Sequence, residues 1–299
     1  MSSLTNIAVA GASGSLGSVV VEKLLAAGIF NILALRRHGS SATFPAGVKS
    51  VDVDFNSVKE LTAALKGQDA VVITTATTAV AEQYPLIDAT IAAGVKRLIP
   101  SEFGSNVENP NTRNLPLLSG KVEVQDYINE KIKGTQTTYT GVYNNAFLDW
   151  GIQHDFLLKV SDYKPVIVND GNLPFSATTL GTVADAVVGI LKKPDETRNR
   201  GVFVHDLVTT QNELLALAKR IAPEKPWEET HINLAAAVAD SKAKLAAGDF
   251  TMENVTPVLW AAIMGPEYGG KFEKTDNELL GLKGKTEEDV LDILKKYVK

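Results

Sequence analysis

The sequence predicts an α/β fold: a doubly wound parallel sheet with helices on both faces, followed by a smaller C-terminal region. Three observations carry this. An apolar run at residues 7–10 leads into a turn with glycine at 11, 14 and 17, then an amphipathic stretch and a second apolar run. Short runs of β-branched and small apolar residues alternate with stretches of helical period up to about residue 150. Beyond Trp150 the alternation loosens.

In order, residues 7–10 read as a strand, 16–27 as a helix closed by Gly28, and 32–35 as a strand ending on Arg36 and Arg37. Residues 48–53 and 57–65 follow as strand and helix, and 70–74 as a strand suited to burial on both faces. A helix at 83–93 closes on Gly94, a strand covers 96–100, and a loop rich in Asn and Pro runs from 104 to 116. A helix at 120–132 and a strand at 137–142 complete the first half. Strands separated by helices require right-handed crossovers and a parallel sheet. In the second half, 166–168 reads as a strand before an Asn169-Asp170-Gly171 turn, 182–191 as a helix and 200–205 as a strand. Helices follow at 211–221, 234–245 and 287–297, with a break at Pro223 and Pro226.

Strand, glycine turn, helix, strand is the Rossmann-like unit that holds a dinucleotide. The spacing here is G-x-x-G-x-x-G. Gly11 permits the sharp turn off the strand, Gly14 lets backbone approach a pyrophosphate, and Gly17 lets the helix lie close to the sheet. The helix N-terminus at Ser15 and Leu16 offers N–H groups and a positive dipole end, and Ser13 and Ser15 add hydroxyl donors. A site for NAD carries an acidic residue at the end of the second strand; this chain has Arg36 and Arg37, which suit a 2′-phosphate and so NADP(H). The other reading is a pair of solvated arginines, but the ribose faces this position. Residues 1–150 are thus expected to form the NAD(P)-binding domain and 151–299 a smaller substrate-binding region, with residues 176–207 returning in part to the sheet.

Composition excludes several classes. A net charge of −5 in 299 residues gives no reason to expect nucleic acid or a membrane surface. Cysteine is absent and the four histidines show no ligand spacing, so no metal is expected. With no secretory pattern and no apolar run of spanning length, the expected compartment is the cytoplasm. Ligands of such sheets lie outside the carboxyl ends of the strands. That rule selects the glycine turn, Arg36 and Arg37, residues 75–78 (Thr75 and Ala76 foremost, then Thr77 and Thr78), residues 101–103 (Ser101 and Phe103 foremost) and residues 143–147 (Asn145 and Phe147 foremost).

The motifs GASGSLG at 11–17 and LIPSEFG at 98–104 resemble the isoflavone reductase-like group of atypical short-chain dehydrogenases. This group includes phenylcoumaran benzylic ether and pinoresinol–lariciresinol reductases and the fungal NmrA-like proteins. The resemblance implies an NADPH-dependent reductase that passes a hydride to an aromatic or conjugated small molecule, acting as monomer or homodimer. It places the catalytic lysine at Lys121, 20 residues after Ser101, within reach of the nicotinamide ribose. It sets Asn145 and Phe147 of YNNAF beside the nicotinamide, Phe147 either stacking there or filling core; Asn144, where relatives often have Ser, departs from the pattern. Tyr127-x-x-x-Lys131 has the spacing of the ordinary short-chain pair but falls near the far end of its helix, where a packed aromatic is expected. Trp150, His154, Tyr163 and Phe175 are candidates for an apolar pocket or for ordinary core. The alternative function, carried by the NmrA-like branch, is a non-catalytic sensor of NAD(P); Lys121 favours the enzyme.

Overall fold

The structure of the chain, a computed structural model, describes residues 4–299. Its first half runs β1 (Asn6–Ala10), α1 (Ser15–Ala26), β2 (Asn31–Arg37), β3 (Val48–Val53), α2 (Val58–Leu65), β4 (Ala70–Ile73), α3 (Gln83–Ala92), β5 (Arg97–Ile99), α4 (Pro110–Arg113), α5 (Ser119–Lys131) and β6 (Thr138–Tyr143). The second half runs β7 (Ala146–Phe147), α6 (Leu148–Gln153), β8 (Val166–Val168), β9 (Phe175–Thr178), α7 (Leu180–Lys192), β10 (Arg200–Phe203), β11 (Leu207–Thr209) and α8 (Gln211–Ile221). It closes with β12 (Thr230–Ile232), α9 (Leu234–Ala246), α10 (Met252–Met264), α11 (Asn277–Leu280) and α12 (Glu287–Leu294).

Seven strands form a parallel sheet in the order β10-β6-β5-β4-β1-β2-β3. Successive side chains point to opposite faces, and both faces are covered. Ile7, Val9, Ala70, Val72 and Ile99 join a core with Val20, Leu24, Val183 and Val187 of α1 and α7. Ala8, Ala10, Val71, Ile73 and Leu98 join another with Leu61, Leu86, Val124 and Ile128 of α2, α3 and α5. This explains why the short β4, Ala-Val-Val-Ile, is wholly buried and shows no alternation.

From the second half, α7 packs beside α1 and β10 extends the large sheet next to β6. The remainder builds a separate core around Phe175, Leu157, Leu214 and Trp260, under a three-stranded sheet ordered β11-β9-β7 and a β12-β8 pair. Helix α10 was not legible in the sequence because Pro257 lies inside it, and β7, β9 and β11 are too short to show a period.

At the amino ends of the strands, Asp69 accepts the N–H groups of Thr5 and Asn6 and the Lys96 ammonium at 2.8–3.1 Å. Burial alone would raise its pKa; these donors outweigh burial and hold it at about 2, below the ordinary 3.8. Its contribution is therefore complete above pH 4 and lost as pH falls toward 2. Asp69→Asn is expected to cost about 2 kcal/mol at pH 7 in urea unfolding, with the gap to the wild type closing near pH 2. A gap that persists there would remove the electrostatic explanation.

Candidate active site

The sheet order reverses direction between β1 and β4, so the cleft opens where the glycine turn faces the segment after β4. Gly11 has φ +78°, and a Cβ there would lie 2.7 Å from the Thr74 carbonyl oxygen. A Cβ at Gly17 would lie 2.1 Å from the Gly11 carbonyl oxygen and 2.7 Å from Thr74 Oγ1. Thr74 Oγ1 in turn donates to the Ala10 carbonyl at 2.9 Å, so turn, helix and β4 lock together. At Gly14 a Cβ meets only the Gly11 carbonyl oxygen, at 3.3 Å, and Ser13, Gly14 and Ser15 are exposed. No side chain caps α1 and its first turn holds no acidic residue. By contrast Ser57, Thr179, Thr210 and Asn233 cap α2, α7, α8 and α9. The bare N-terminus over an open glycine turn fits a pyrophosphate.

The two arginines stand at the end of β2. Arg36 donates from Nε to Asp52 at 2.5 Å and from Nη1 to the Ala42 carbonyl at 3.0 Å. Arg37 donates from Nη2 to both oxygens of Glu82 at 2.6 Å and lies over the Phe55 ring. Glu82 belongs to the helical turn after β4, so this pair bridges the cleft mouth. Of the residues expected after β4, Ala76 is exposed and the Thr75 carbonyl accepts the Ser101 hydroxyl at 2.8 Å. The side chains of Thr77 and Thr78 lie outside the described residues.

The chain brings Lys121 to the end of β5. From the first turn of α5 its ammonium donates to the backbone carbonyls of Glu102 and Phe103. Two of its three hydrogens are so held, and the third is free to meet a ligand oxygen. Burial lowers its pKa, and the Glu102 carboxyl opposes that. Phe103 and Ala12 lie in the core under α1, with Leu16 and Phe147 packed against it. Five of the six buried side-chain polar atoms without a hydrogen-bond partner, among the described residues, cluster at the ends of β4, β5 and β6: Thr75 Oγ1, both Glu102 carboxyl oxygens, and Oδ1 of Asn144 and of Asn145. Such atoms in one place mark a region built to receive polar groups.

Asn145, expected beside the nicotinamide, turns inward. It has φ +49°, and its amide nitrogen donates to the carbonyls of Ser176 and Ile263 at 2.9 and 3.0 Å. The side chain therefore ties β6 to β9 and α10, and only Oδ1 remains for a ligand. Tyr127 donates to Asp88 at 2.8 Å and packs edge-on to Tyr84, in the layer between α3 and α5. Burial and Asp88 push its pKa up to about 12, the wrong direction for a proton donor near neutral pH. Trp150 stacks on His154, Tyr163 packs on Trp227, and Phe175 is fully buried in the second core. None of the four is placed at Lys121. Sequence reasoning missed Thr74; Glu102 lay inside the selected segment 101–103 and the LIPSEFG motif, but nothing in its spacing announced a buried acid.

Among the described residues no helix is long and apolar enough to cross a membrane, and no group of three or more His, Asp or Glu could hold a metal ion. A model of the NmrA-like family matches residues 4–241. The chain is 33% identical to the oxidoreductase aprR of Aspergillus flavus, covering 95% of this chain and 97% of that one. It is 31% identical to the oxidoreductase poxI of Penicillium oxalicum, covering 94% and 90%. The solved structure of AtPrR2 with NADP+ and (+)pinoresinol superposes with a TM-score of 0.78 at 23% identity, over 100% of both chains. Sequence and fold together carry the assignment: this chain belongs to the NmrA-like family.

Proposed function

We propose that the protein is an NADPH-dependent reductase of an aromatic or otherwise conjugated small molecule. The observation that carries this is the Lys121 ammonium, held by two backbone carbonyls at the end of β5 with one hydrogen left over. Relatives named as oxidoreductases, and a neighbouring fold holding NADP+ and pinoresinol, support the same reading. In it, the glycine turn and the bare end of α1 hold the pyrophosphate, and Arg36 and Arg37 hold the 2′-phosphate. Thr75, Ala76, Ser101 and Phe103 line the way toward Lys121. When bound, NADPH supplies the hydride. Lys121 orients the electrophile and stabilises the oxyanion that develops as the substrate is reduced, by hydrogen bond or by proton transfer. Phe103, Phe147 and the region of residues 151–299 exclude water from the substrate. A metal has no part in the scheme.

Calorimetry with NADPH and NADH, followed by NADPH oxidation with phenylpropanoid ethers, enones and quinones, tests the proposal. Tight NADPH binding with turnover of a panel member supports it. Binding with no turnover across the panel moves the assignment toward a dinucleotide-sensing regulator. Arg36→Ala and Arg37→Ala are each expected to weaken NADPH about tenfold to a hundredfold while leaving NADH nearly unchanged. Equal losses for both dinucleotides would overturn the 2′-phosphate role.

A further inference from the structure

Glu102 is 2% exposed, yet neither of its carboxyl oxygens has a hydrogen-bond partner. Natural chains rarely leave a buried carboxyl unpaired, because the charged form is costly away from water. Its own backbone carbonyl accepts the Lys121 ammonium, so the acid and the lysine share one corner of the fold. Its Cγ lies 3.7 Å from where a Gly141 Cβ would stand, which sets the carboxyl over β6.

The charged and titratable groups around it are Lys121 from α5, Arg113 from α4, Glu108 from the preceding loop, and Tyr139 and Tyr143 from β6. Two of these are engaged elsewhere. Arg113 donates to Gln125 Oε1 and to Asp126, at 2.7 and 2.5 Å. Tyr143 accepts from Gln125 Nε2 at 2.7 Å. The ammonium of Lys121 is the charge left to answer Glu102.

We propose that Glu102 is a positioning residue for Lys121: an enclosed carboxyl whose protonation sets how strongly the lysine holds its proton. With the carboxyl ionised the ammonium is retained. With it neutral, Lys121 becomes the stronger acid and gives its free hydrogen more readily to a developing oxyanion. The two groups titrate as a pair. Burial supports this by pushing the Glu102 carboxyl up to about 7, against the pull of Lys121 and Arg113.

The proposal rests on the reading of Lys121 given above, so its test is made on the resting protein without substrate. Side-chain nitrogen NMR, with Lys121→Met to assign the resonance, follows the lysine through pH. Glu102→Gln is expected to move the Lys121 titration to lower pH by about one unit or more. Glu102→Asp, which keeps the charge, moves it less than half as far. The limb of the kcat/KM profile that belongs to Lys121 shifts in the same direction. An unmoved lysine in the glutamine variant overturns the proposal, even if activity falls.

Should that variant not fold, the Glu102 carboxyl carbon in the wild type, assigned against Glu102→Asp, is expected to titrate at about 7. Titration alongside the exposed glutamates overturns the proposal. Coupling that is present while Lys121→Met keeps its turnover would leave the pair standing and remove Lys121 from the catalytic role.

Discussion

Lys121→Met is expected to lower kcat about a thousandfold, within the range for a positioned acid–base group, while NADPH affinity stays within a few-fold of wild type. Methionine keeps the length and apolar stem of lysine and deletes the ammonium. The backbone carbonyls of Glu102 and Phe103 lose their donor, while the bonds from Thr74 to Ala10, Arg36 to Asp52 and Arg37 to Glu82 do not involve Lys121. Binding and turnover therefore separate. Steady-state kinetics and calorimetry on one sample check this. Tyr127→Phe is the control: it loses only the bond to Asp88 and is expected to leave kcat within about twofold. The reverse pattern, turnover kept in Lys121→Met and lost in Tyr127→Phe, would move proton transfer to Tyr127 and Lys131.

Gly17→Ala is expected to abolish measurable NADPH binding at micromolar concentrations and to cost about 1–3 kcal/mol of stability, as overpacking does. The added Cβ would stand 2.1 Å from the Gly11 carbonyl oxygen, which is backbone and cannot rotate away. Thr74 Oγ1, at 2.7 Å, is pinned by its bond to Ala10. Helix α1 must retreat from the β1–β4 junction, and its N-terminus moves off the phosphate position. Gly28→Ala separates this clash from backbone strain. Gly28 has φ +69° with nothing within 4 Å of a new Cβ, so only strain is added. A loss of about 1 kcal/mol with intact NADPH binding is expected there. If Gly17→Ala binds NADPH normally, the close approach of helix to turn is not what shapes the site.

Much of this protein was legible from local pattern. Apart from the four-residue α4, which lies in the stretch 104–116 read as a loop, the strands and helices of the first half follow from apolar runs and capping residues, because a buried parallel strand and an amphipathic helix each leave a periodic trace. The glycine turn was legible too, since residue spacing along one turn is a local property. The second half was less so. α10 carries an internal proline, and β7, β9 and β11 have at most four residues each, too few for any period.

Within the site, residue types at Gly11, Gly14, Gly17, Arg36, Arg37 and Lys121 were readable, whereas partners were not. Asn145 sits in the motif the resemblance highlights, yet its amide turns to Ser176 and Ile263, residues 31 and 118 positions away. Tyr127 and Lys131 have a familiar spacing, yet packing against Asp88 and Tyr84 removes them from the strand ends. Glu102 looks like any glutamate in the sequence and becomes a buried acid only when β6 and α5 close over it. By itself the sequence determined the longer elements of the first half, the glycine turn and the charge at the end of β2. The tertiary structure decided which side chains meet and which lose water, because both depend on contacts between segments far apart in the chain.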